Sequence, residues 1–461
     1  MSSDVINDLA EIAETAAEKP VVIPVEAFVS EEYARAENDK LWSKVWQVAC
    51  RVEEIPKVGD YVTYDILDES IIVVRTAPDK ISAYYNVCQH RGRRLTEGSG
   101  HVGLFRCRFH GWSWNLKGEN TFVLDPQDWG DCLTPRNLHL AEVKVDTWGG
   151  WVWINMDPNC KSLKEYLEPA VSMLGPFELE KMRYRWRQWL YFPCNWKVAL
   201  EAFIESYHVD GTHPQLLRWG STRWWCKSEN HCSWHGRGQA RGEAIQGGAS
   251  ALGDIMATRD QDPRLAAAEY QNNLIATLNA ATTQTLVDAA NRLADELPPG
   301  TPPDQVSAHF MASAMRDDAA RGVPWPKVDL AYLMGSGHDW HLFPNTVILP
   351  GLTFALCYRA RPNGYNPNSC IFEVYAIERY PEGEEPKTEW VHHAAPTEDK
   401  WLKILMQDFD NMSKVQQGVK SRGFKGPRPS PVQELGVIHF HRLLAKYMGT
   451  GAPQPMPRSG G

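Results

Sequence analysis

Two kinds of hydrophobic pattern divide the first third of the chain. Residues 1–44 carry apolar side chains at helical spacing, in LAEIAETAAE and in SEEYARAENDKLWSKVW, and these runs predict helices. After Val52 the pattern changes to short β-branched and aromatic runs, YVTYDIL, SIIVVRT and ISAYYNV, and TWGGWVWINM closes the group. Runs of this kind, separated by Gly, Asp and Pro, predict strands. Residues 45–160 are therefore expected to form a small all-β domain.

A mixed pattern extends over residues 161–450. WRQWLYFPCNWKVALEAFIESYHVDGTHPQ begins as a strand and continues as a helix, HLFPNTVILPG, LTFALCYRARP and CIFEVYAIERYP predict strands, and EDKWLKILMQDFDNMSKVQQGVKS predicts an amphipathic helix. Between about Arg259 and Arg321 the helical periodicity predicts an insertion, within residues 215–335, near the entrance of a pocket. The tail, residues 451–461, is expected to be disordered.

Composition excludes several classes of protein. The chain has 461 residues, 43% of them hydrophobic and 23% charged, which is more than one ordinary core needs. A net charge of −9 argues against nucleic-acid binding. No apolar run approaches the roughly 20 residues of a membrane-spanning helix, and the acidic start does not resemble an export signal, so a cytoplasmic protein is expected. Ten scattered cysteines do not suggest a disulfide framework.

The stretch CQHRGRRLTEGSGHVGLFRCRFHGW contains two pairs of metal-ligating residues. Cys88-x-His90 is followed, sixteen residues later, by Cys107-x-x-His110, so each end supplies one thiolate and one imidazole. Structural zinc fingers more often group their thiolates before their imidazoles. In a Rieske [2Fe–2S] centre two Cys hold one iron and two His hold the other. The spacing therefore favours a Rieske cluster, a one-electron carrier, with structural zinc as the alternative.

A second group of candidate ligands lies in EAFIESYHVDGTH. On a helix Glu205 and His208 share a face, and Asp210-Gly211 is expected to turn the chain so that His213 comes back toward them. Two imidazoles that face one cavity need an anionic third ligand to form a facial triad for Fe(II). The sequence thus predicts a mononuclear iron site in this segment.

The third ligand is expected from MQDFDNM, on the amphipathic helix predicted near the end of the chain. Asp408 and Asp410 are the two candidates. Spacing alone does not choose between them.

These motifs resemble those of the large, catalytic subunits of Rieske non-haem iron oxygenases. CQHRGRRL and CRFHGWSW resemble the cluster loops of that family, and NWK followed by EAFIESYHVDGTHPQ resembles its mononuclear iron segment. HLFPN is similar to a strand beside the active site. QDFDNM is similar to the segment that supplies the carboxylate ligand four residues before the Met, which points to Asp408. The resemblance covers most of the chain.

The resemblance implies an α+β fold, with the Rieske domain inserted into a helix-grip (START/Bet v1-like) catalytic domain that has an antiparallel sheet and includes residues 1–44. It implies a head-to-tail trimer, α3 or α3β3, in which the cluster of one subunit passes electrons to the iron of its neighbour. The implied site residues are Cys88, His90, Cys107 and His110 for the [2Fe–2S] cluster, His208, His213 and Asp408 for the mononuclear iron, and Glu205 as the inter-subunit electron-transfer bridge. Many ring-hydroxylating members carry Asp at that last position, whereas Glu occurs in other branches, including oxygenases of quaternary ammonium compounds.

The activity implied is O₂-dependent mono- or dioxygenation. No GxGxxG motif opens a helix after a strand, so NAD(P)H oxidation is assigned to a separate reductase, with or without a ferredoxin. Two other classes of function are weighed against this one: an electron carrier without an oxygenase site, and a zinc-stabilised binding module. Both conflict with the presence of two groups of ligands.

The expected substrate is a hydrophobic aromatic or alicyclic, terpenoid-like compound. The alternative is oxidative N-demethylation or cleavage of an amine or quaternary ammonium compound, since aromatic side chains also bind such cations. Asp254, Asp260 and Asp262 could attract a cation, although charges on a helical insertion usually face solvent. The aromatic residues on which this expectation rests, each of which could equally be part of the core, are Trp219, Trp224, Trp225, Trp234, Trp325 and Trp340.

Overall fold

A computed structural model describes residues 19–219, 224–237 and 261–457. The chain forms two compact units, and the smaller unit, Ala34–Tyr166, interrupts the larger one, Met1–Tyr33 with Leu167–Gly461. Helices and mostly antiparallel sheets make up both parts, so the α+β class is confirmed. The helix predicted in LAEIAETAAE lies outside the described residues.

The edges of the smaller unit lie outside the predicted limits of 45 and 160. The indole Nε1 of Trp46 donates to the carbonyl of Lys161 (3.0 Å), and Asn155 donates to the carbonyl of Lys44 (3.3 Å). These bonds attach the flanking segments to the β domain on both sides. The hydrophobic pattern gives no sign of such long-range bonds, because they involve backbone carbonyls.

The smaller unit consists of two antiparallel sheets. The first has the strand order β2-β11-β10-β5-β4-β3-β6, and the second has the order β7-β8-β9. Around them run a π-helical turn, Asn38–Trp42, and short helices. The strands are β2 (Gln47–Arg51), β3 (Asp60–Ile66), β4 (Glu69–Ala77), β5 (Lys80–Tyr85), β6 (Ser99–His101), β7 (Leu104–Arg106), β8 (Ser113–Asn115), β9 (Asn120–Phe122), β10 (Glu142–Trp148) and β11 (Trp151–Asn155).

The run TWGGWVWINM is the corner of a hairpin. Strand β10 ends at Trp148, Gly149 and Gly150 adopt positive φ angles of 63° and 84°, and β11 starts at Trp151, which pairs with Trp148. Two consecutive residues with positive φ form the tight turn that suits antiparallel strands, and glycine adopts this conformation without strain.

The larger unit is built on one eight-stranded sheet in the order β13-β14-β15-β16-β17-β18-β12-β19. Neighbouring strands are antiparallel except for β12 and β19, which run parallel. The strands are β12 (Arg183–Phe192), β13 (Trp224–Glu229), β14 (Cys232–Arg237), β15 (Asp339–Leu342), β16 (Thr346–Pro350), β17 (Phe354–Pro362), β18 (Cys370–Glu378) and β19 (Val391–His392).

Helices cover one face of this sheet. Helix α6 packs against β17 and β18, α12 packs against α6, and α13 packs against β13 and β14. Helices α8, α9 and α10 pack together in the segment where the sequence predicts a helical insertion. No helix in the described ranges is both long and apolar enough to cross a membrane. The helices are α1 (Glu26–Val29), α2 (Glu31–Glu37), α3 (Pro135–Leu138, in the smaller unit), α4 (Leu163–Leu167), α5 (Ala170–Leu174), α6 (Trp196–Glu201), α7 (Val209–Thr212), α8 (Pro263–Thr277), α9 (Gln284–Glu296), α10 (Pro303–Ala320), α11 (Leu330–Gly335), α12 (Glu398–Gly418) and α13 (Leu435–Met448).

The expectation of a disordered tail over residues 451–461 is wrong for part of it. Strand β20, Gln454–Pro455, pairs antiparallel with β1, Val21–Val22, and the N–H of Met456 donates to the carbonyl of Pro20 (2.9 Å). Composition does not reveal this order, because backbone bonds to a distant segment provide it. Residues 458–461 lie outside the described part of the chain.

A buried cluster of charges joins two central strands of the larger unit. Arg359 on β17 and Glu373 on β18 are register partners, and their side chains are bonded to each other (2.9 Å between Nη2 and Oε1), while Arg361 donates to the same oxygen (3.1 Å). Burial opposes ionisation of Glu373, but the two guanidinium groups outweigh it and lower the pKa of this carboxyl to about 2. The ionised form is therefore the native one.

We expect Glu373→Gln to lower the free energy of unfolding at pH 7 by roughly 3 kcal/mol, because it removes the negative charge that two guanidinium groups share. A carboxyl whose pKa is lowered by folding stabilises above its unfolded pKa and loses this contribution as the pH falls toward its folded pKa. The difference between the wild type and the variant should therefore shrink between about pH 5 and about pH 2. Urea unfolding at several pH values measures it, with exposed Glu384→Gln as the control.

Candidate active site

The two loops of the smaller unit that carry the cysteines have the same backbone design. In each, the cysteine N–H donates to the carbonyl five residues on (2.9 Å for Cys88 and 2.8 Å for Cys107), and a glycine four residues on donates back to the cysteine carbonyl (3.0 and 2.9 Å). Those glycines, Gly92 and Gly111, have φ angles of 77° and 79°, a conformation that favours glycine. The two loops therefore present their side chains in the same way.

The thiols of Cys88 and Cys107 are buried next to each other and face backbone donors. The N–H groups two and three residues after each cysteine point at its sulfur. Burial opposes ionisation of Cys107, yet these N–H groups, the Cys88 thiol and Arg93 lower its pKa. Neither thiol forms a disulfide. A pair of sulfurs surrounded by N–H donors suits an anionic metal-bound thiolate.

The imidazoles of His90 and His110 meet on the other side of the loops. Their Nδ1 atoms lie 3.1 Å apart, and Trp112 stacks on the His90 ring (4.7 Å between centroids, 10° between planes). Two thiols and two imidazoles, each pair converging on one point, fit the two irons of a Rieske cluster. A tetrahedral zinc would also accept four such ligands, so the geometry alone does not separate the two metals.

In the larger unit the segment around Glu205 departs from the predicted helix. Asn195 caps α6 by accepting from the N–H of Lys197 (3.1 Å), but this helix ends at Glu201 and residues 202–208 form turns. Glu205 and His208 still meet, because Glu205 Oε2 accepts from the His208 N–H (3.0 Å) and Oε1 accepts from its Nδ1 (2.8 Å). The carboxylate thus sets both the backbone turn and the ring orientation.

The second imidazole is brought back by a short helix. His208 and His213 are the residues that flank α7, and their rings lie 5.5 Å apart. The expected turn at Asp210-Gly211 is wrong, since both residues lie inside this single helical turn. After this turn the backbone of His213 leaves the helical conformation (φ −117°, ψ 57°), and its ring comes to face that of His208.

Asp408 on α12 completes a triad with the two imidazoles. The potential ligand atoms of His208, His213 and Asp408 all lie within 4.8 Å of one another. Oδ1 of Asp408 is buried, lies 3.0 Å from His213 Nε2 and 3.7 Å from His208 Nε2, and forms no hydrogen bond with the described residues. Asp410 instead lies at the surface, paired with Lys414. Of the two candidate carboxylates, only Asp408 faces the imidazoles.

Polar neighbours hold both rings with Nε2 turned inward. Gln407 accepts a hydrogen bond from His213 Nδ1 (2.9 Å) and another from Gln215 (2.8 Å). Glu205 has the same role for His208. Outer partners on Nδ1 that leave Nε2 free are typical of metal-binding histidines. Sequence reasoning missed Gln407, although it directly precedes Asp408.

The charge around His208 favours a cation. Burial lowers the pKa of this imidazole, but the carboxylates of Glu205, Asp408 and Asp339 outweigh it and raise the pKa to about 9. The same negative potential would stabilise a divalent metal in place of the proton. The triad therefore fits a mononuclear iron by both geometry and charge.

Three further polar residues lie close to the triad, and no motif in the sequence singles them out. Ser206 and His235 Nε2 are hydrogen-bonded (2.6 Å), and His235 on β14 is the register partner of Asp339 on β15. The carboxyl Oδ2 of Asp339 lies 3.7 Å from Nε2 of His235. Burial and the nearby imidazoles lower the pKa of His235 to about 3, so this ring is neutral.

The six tryptophans do not form one wall. Side chains alternate along a strand, so Trp234 and Trp340, which stack on each other (4.7 Å, 3°), point away from the face that carries His235 and Asp339. Trp224 lies on the inner face, 5.5 Å from the His235 ring. The others pack elsewhere: Trp225 against Gly236, Trp219 against Tyr270, and Trp325 as a donor to Asp318.

Of the acidic candidates in the predicted insertion, Asp262 serves as a helix cap. Asp262 caps α8 by accepting from the N–H of Arg264 (3.0 Å) and pairs with its guanidinium. Asp254 and Asp260 lie outside the described residues.

A cavity of about 270 Å³ opens beside the triad on the side of Glu205. Its polar residues include Glu201, Glu205, His208 and Glu434, and its apolar ones include Met412. Burial and the neighbouring carboxylates raise the pKa of Glu434 to about 7. The outer edge of Glu205 is therefore accessible to another group.

Segments of both units match known protein families. Residues 177–450 match the family described as the ring hydroxylating alpha subunit (catalytic domain), and residues 45–127 match the Rieske [2Fe-2S] domain. These matches confirm the expected pair of domains and the two cofactors, one [2Fe–2S] cluster and one mononuclear iron. The residues assigned as their ligands stay predictions that the geometry supports.

Individual proteins are similar over parts of the chain. The glycine betaine monooxygenase oxygenase subunit of Pseudomonas aeruginosa is 27% identical over 42% of this chain and 46% of its own length. The 2-aminobenzenesulfonate 2,3-dioxygenase subunit alpha of an Alcaligenes species is 32% identical over 38% of this chain and 46% of its own. The chain thus spans about half the length of the curated relatives it matches.

One solved structure shares the fold over nearly the whole chain. It is a quaternary ammonium Rieske monooxygenase in complex with L-carnitine, which is 18% identical, covers 93% of this chain and 96% of that one, and has a TM-score of 0.60. At this level of identity the likeness concerns the fold alone.

We expect Asp408→Ala to lose the mononuclear iron and keep the cluster, so that the iron content falls from about three to about two per chain while about two acid-labile sulfides remain. Iron and sulfide analysis, with EPR of the dithionite-reduced protein, measures both sites. Asp410→Ala, two residues further along the same helix, is the matched control and should keep all the iron. Normal iron occupancy in Asp408→Ala would move the ligand elsewhere.

Proposed function

We propose that this chain, which belongs to the family of ring hydroxylating alpha subunits, is a terminal oxygenase that inserts oxygen from O₂ into a small organic substrate. The observation that carries the proposal is the convergence of two imidazoles and one buried carboxylate, with Glu205 bonded to the outer nitrogen of one imidazole. An electron carrier or a zinc-stabilised binding module would need no such second site.

The proposed roles follow the two groups of ligands. Cys88, Cys107, His90 and His110 hold the cluster, and the backbone N–H groups around the sulfurs stabilise its negative charge. When bound, the cluster supplies single electrons and the mononuclear iron offers open positions for O₂ and substrate. The carboxylate of Glu205 and the amide of Gln407 keep the two imidazole ligands in place while O₂ and substrate come and go.

The triad that holds the iron is His208, His213 and Asp408. Glu205 and Gln407 fix the orientation of the two imidazoles through their Nδ1 atoms. Phe203 and Phe372 stack close to Tyr358 on the inner face of the sheet and exclude water from the region beside Asp408.

Glu205 is proposed as the electron-transfer bridge to a neighbouring subunit. Each of its oxygens already accepts one bond from His208, and a carboxylate oxygen can accept a second. The cavity beside it gives room for the partner's cluster imidazole. A head-to-tail trimer, with electrons delivered by a separate NAD(P)H-dependent reductase with or without a ferredoxin, is the arrangement this role requires.

We favour an N-methylated amine or quaternary ammonium compound as the substrate. The relative named for glycine betaine supports this class, and so does Glu, rather than Asp, at position 205. The reaction consumes O₂, two electrons and two protons, and converts N–CH₃ to N–CH₂OH with release of water. The C–N bond then breaks, the nitrogen keeps the electron pair and takes the hydroxyl proton, and formaldehyde leaves.

A hydrophobic aromatic or alicyclic compound is the second candidate substrate. The stacked rings of Phe203, Tyr358 and Phe372 on the inner face favour it, because aromatic walls also bind flat apolar molecules. The relative named for 2-aminobenzenesulfonate is consistent with this class. The product would then be a retained alcohol or diol.

We expect Glu205→Gln to bind both metals but to slow electron transfer to the mononuclear iron by roughly 10- to 100-fold, because the amide is a poorer acceptor for two imidazole N–H groups. The rate at which the cluster of the prereduced protein is reoxidised by O₂ and substrate measures this step. Glu201→Gln, which lines the same cavity and bonds to His441, is the control. An unchanged rate would remove Glu205 from the electron path.

We expect a panel of N-methylated amines, quaternary ammonium compounds and carbocycles, incubated with O₂, NADH and a reductase, to give formaldehyde from the nitrogen compounds. Formaldehyde and the demethylated amine should appear in equal amounts with the O₂ consumed. Hydroxylated carbocycles without formaldehyde would instead support the second candidate.

A further inference from the structure

Asp339 is a buried carboxyl group on the inner face of the larger sheet, and it is outside the triad. The residue is 6% exposed, and its Oδ1 forms no hydrogen bond with any described residue. A buried carboxyl oxygen without a donor is costly, and such a group usually marks the position of a partner that is not part of the protein.

None of the described residues around Asp339 donates a hydrogen bond to this oxygen. Ser206 and the backbone carbonyl of Ile204 engage both nitrogens of His235, so this ring takes its proton on the side of Ile204 and presents a lone pair to the Ser206 hydroxyl. The ring proton of His235 and the hydroxyl proton of Ser206 both point away from Asp339. Asp339 Oδ2 therefore lies 3.7 Å from His235 Nε2 without a hydrogen bond. Cys226, the register partner of His235 on the next strand, is a neutral thiol.

The carboxyl faces the reaction site. Its charge acts on His208, a ligand of the triad, and on Tyr358, which also senses Asp408. Phe203 stacks on Tyr358 (4.0 Å, 18°), so aromatic surface lines the same region. A carboxylate beside aromatic faces is the arrangement that binds a cation with an apolar shell.

We propose that Asp339 binds the positively charged nitrogen of the substrate and thereby places an N-methyl carbon at the metal held by His208, His213 and Asp408. The proposal rests on the proposed oxygenase function and assigns the choice of a cationic substrate to one residue. The carboxylate supplies the counter-charge, and the rings of Tyr358 and Phe203 contact the methyl groups. Burial raises the pKa of Asp339 well above its usual range, so this carboxyl keeps its proton beside a neutral molecule and releases it to solvent when a cation binds beside it. A neutral carbocycle gains no counter-charge from Asp339, so the same residue favours the cation over it.

Equilibrium binding tests the proposal without turnover. The probes are choline and 3,3-dimethylbutan-1-ol, which has the same shape with carbon in place of the charged nitrogen. Both are titrated calorimetrically into the full-length protein with both metal sites loaded, without O₂ or reductant. The wild type should bind choline more tightly than the alcohol, and Asp339→Asn should weaken choline binding by about tenfold or more, with alcohol binding within about twofold of wild type.

Asp410→Asn removes the same charge from the surface and should change neither affinity. Alcohol binding and iron content report whether Asp339→Asn retains its fold. The proposal is overturned if the wild type does not prefer choline, or if Asp339→Asn weakens both probes equally, as a purely structural role would. If the wild type holds its iron and oxidises a substrate but does not prefer choline, the role of Asp339 alone is rejected. Absence of mononuclear iron and of turnover rejects the oxygenase function.

Discussion

The concentration of negative charge around His208 is the constraint on which the catalytic unit depends. Glu205, Asp408 and Asp339 come from a turn, a helix and a strand, and all three act on the same imidazole. Carboxylates held so close in a dry interior repel one another unless a cation lies among them. The fold therefore makes a site in which positive charge at His208 is favoured.

The ligand groups that are local in sequence could be predicted from the sequence, and the rest could not. Cys88 and His90, and likewise Cys107 and His110, lie on single loops whose glycines determine the backbone, so spacing already implies geometry. His208 and His213 flank one helical turn. Asp408 could be chosen as a ligand only through the family resemblance, because its segment lies far from the two histidines in the chain. Gln407, the residue directly before it, is 194 residues from His213.

Asp339 and His235 show why part of the site escaped prediction. They become neighbours through the register of β14 and β15, and the described residues between these strands in the chain include the four helices α8 to α11. A period-two pattern predicts which residues share a face, but it does not specify the pairing of distant strands. The same limit explains the tryptophans, which the sequence groups together and the sheet divides between two faces.

Helix α12 carries the predicted metal ligand Asp408 directly after Gln407, which accepts a hydrogen bond from His213. Consecutive residues on a helix point about 100° apart around its axis, so one side chain reaches the metal position while the other reaches the outer nitrogen of a second ligand. Both residues lie on the part of the helix that follows a kink at Leu402 (φ 58°), so the rotation of that part sets the spacing between carboxylate and imidazole. A small roll of α12 would tighten one contact and loosen the other, so the site resists gradual distortion and its ligands respond together to any movement of that helix.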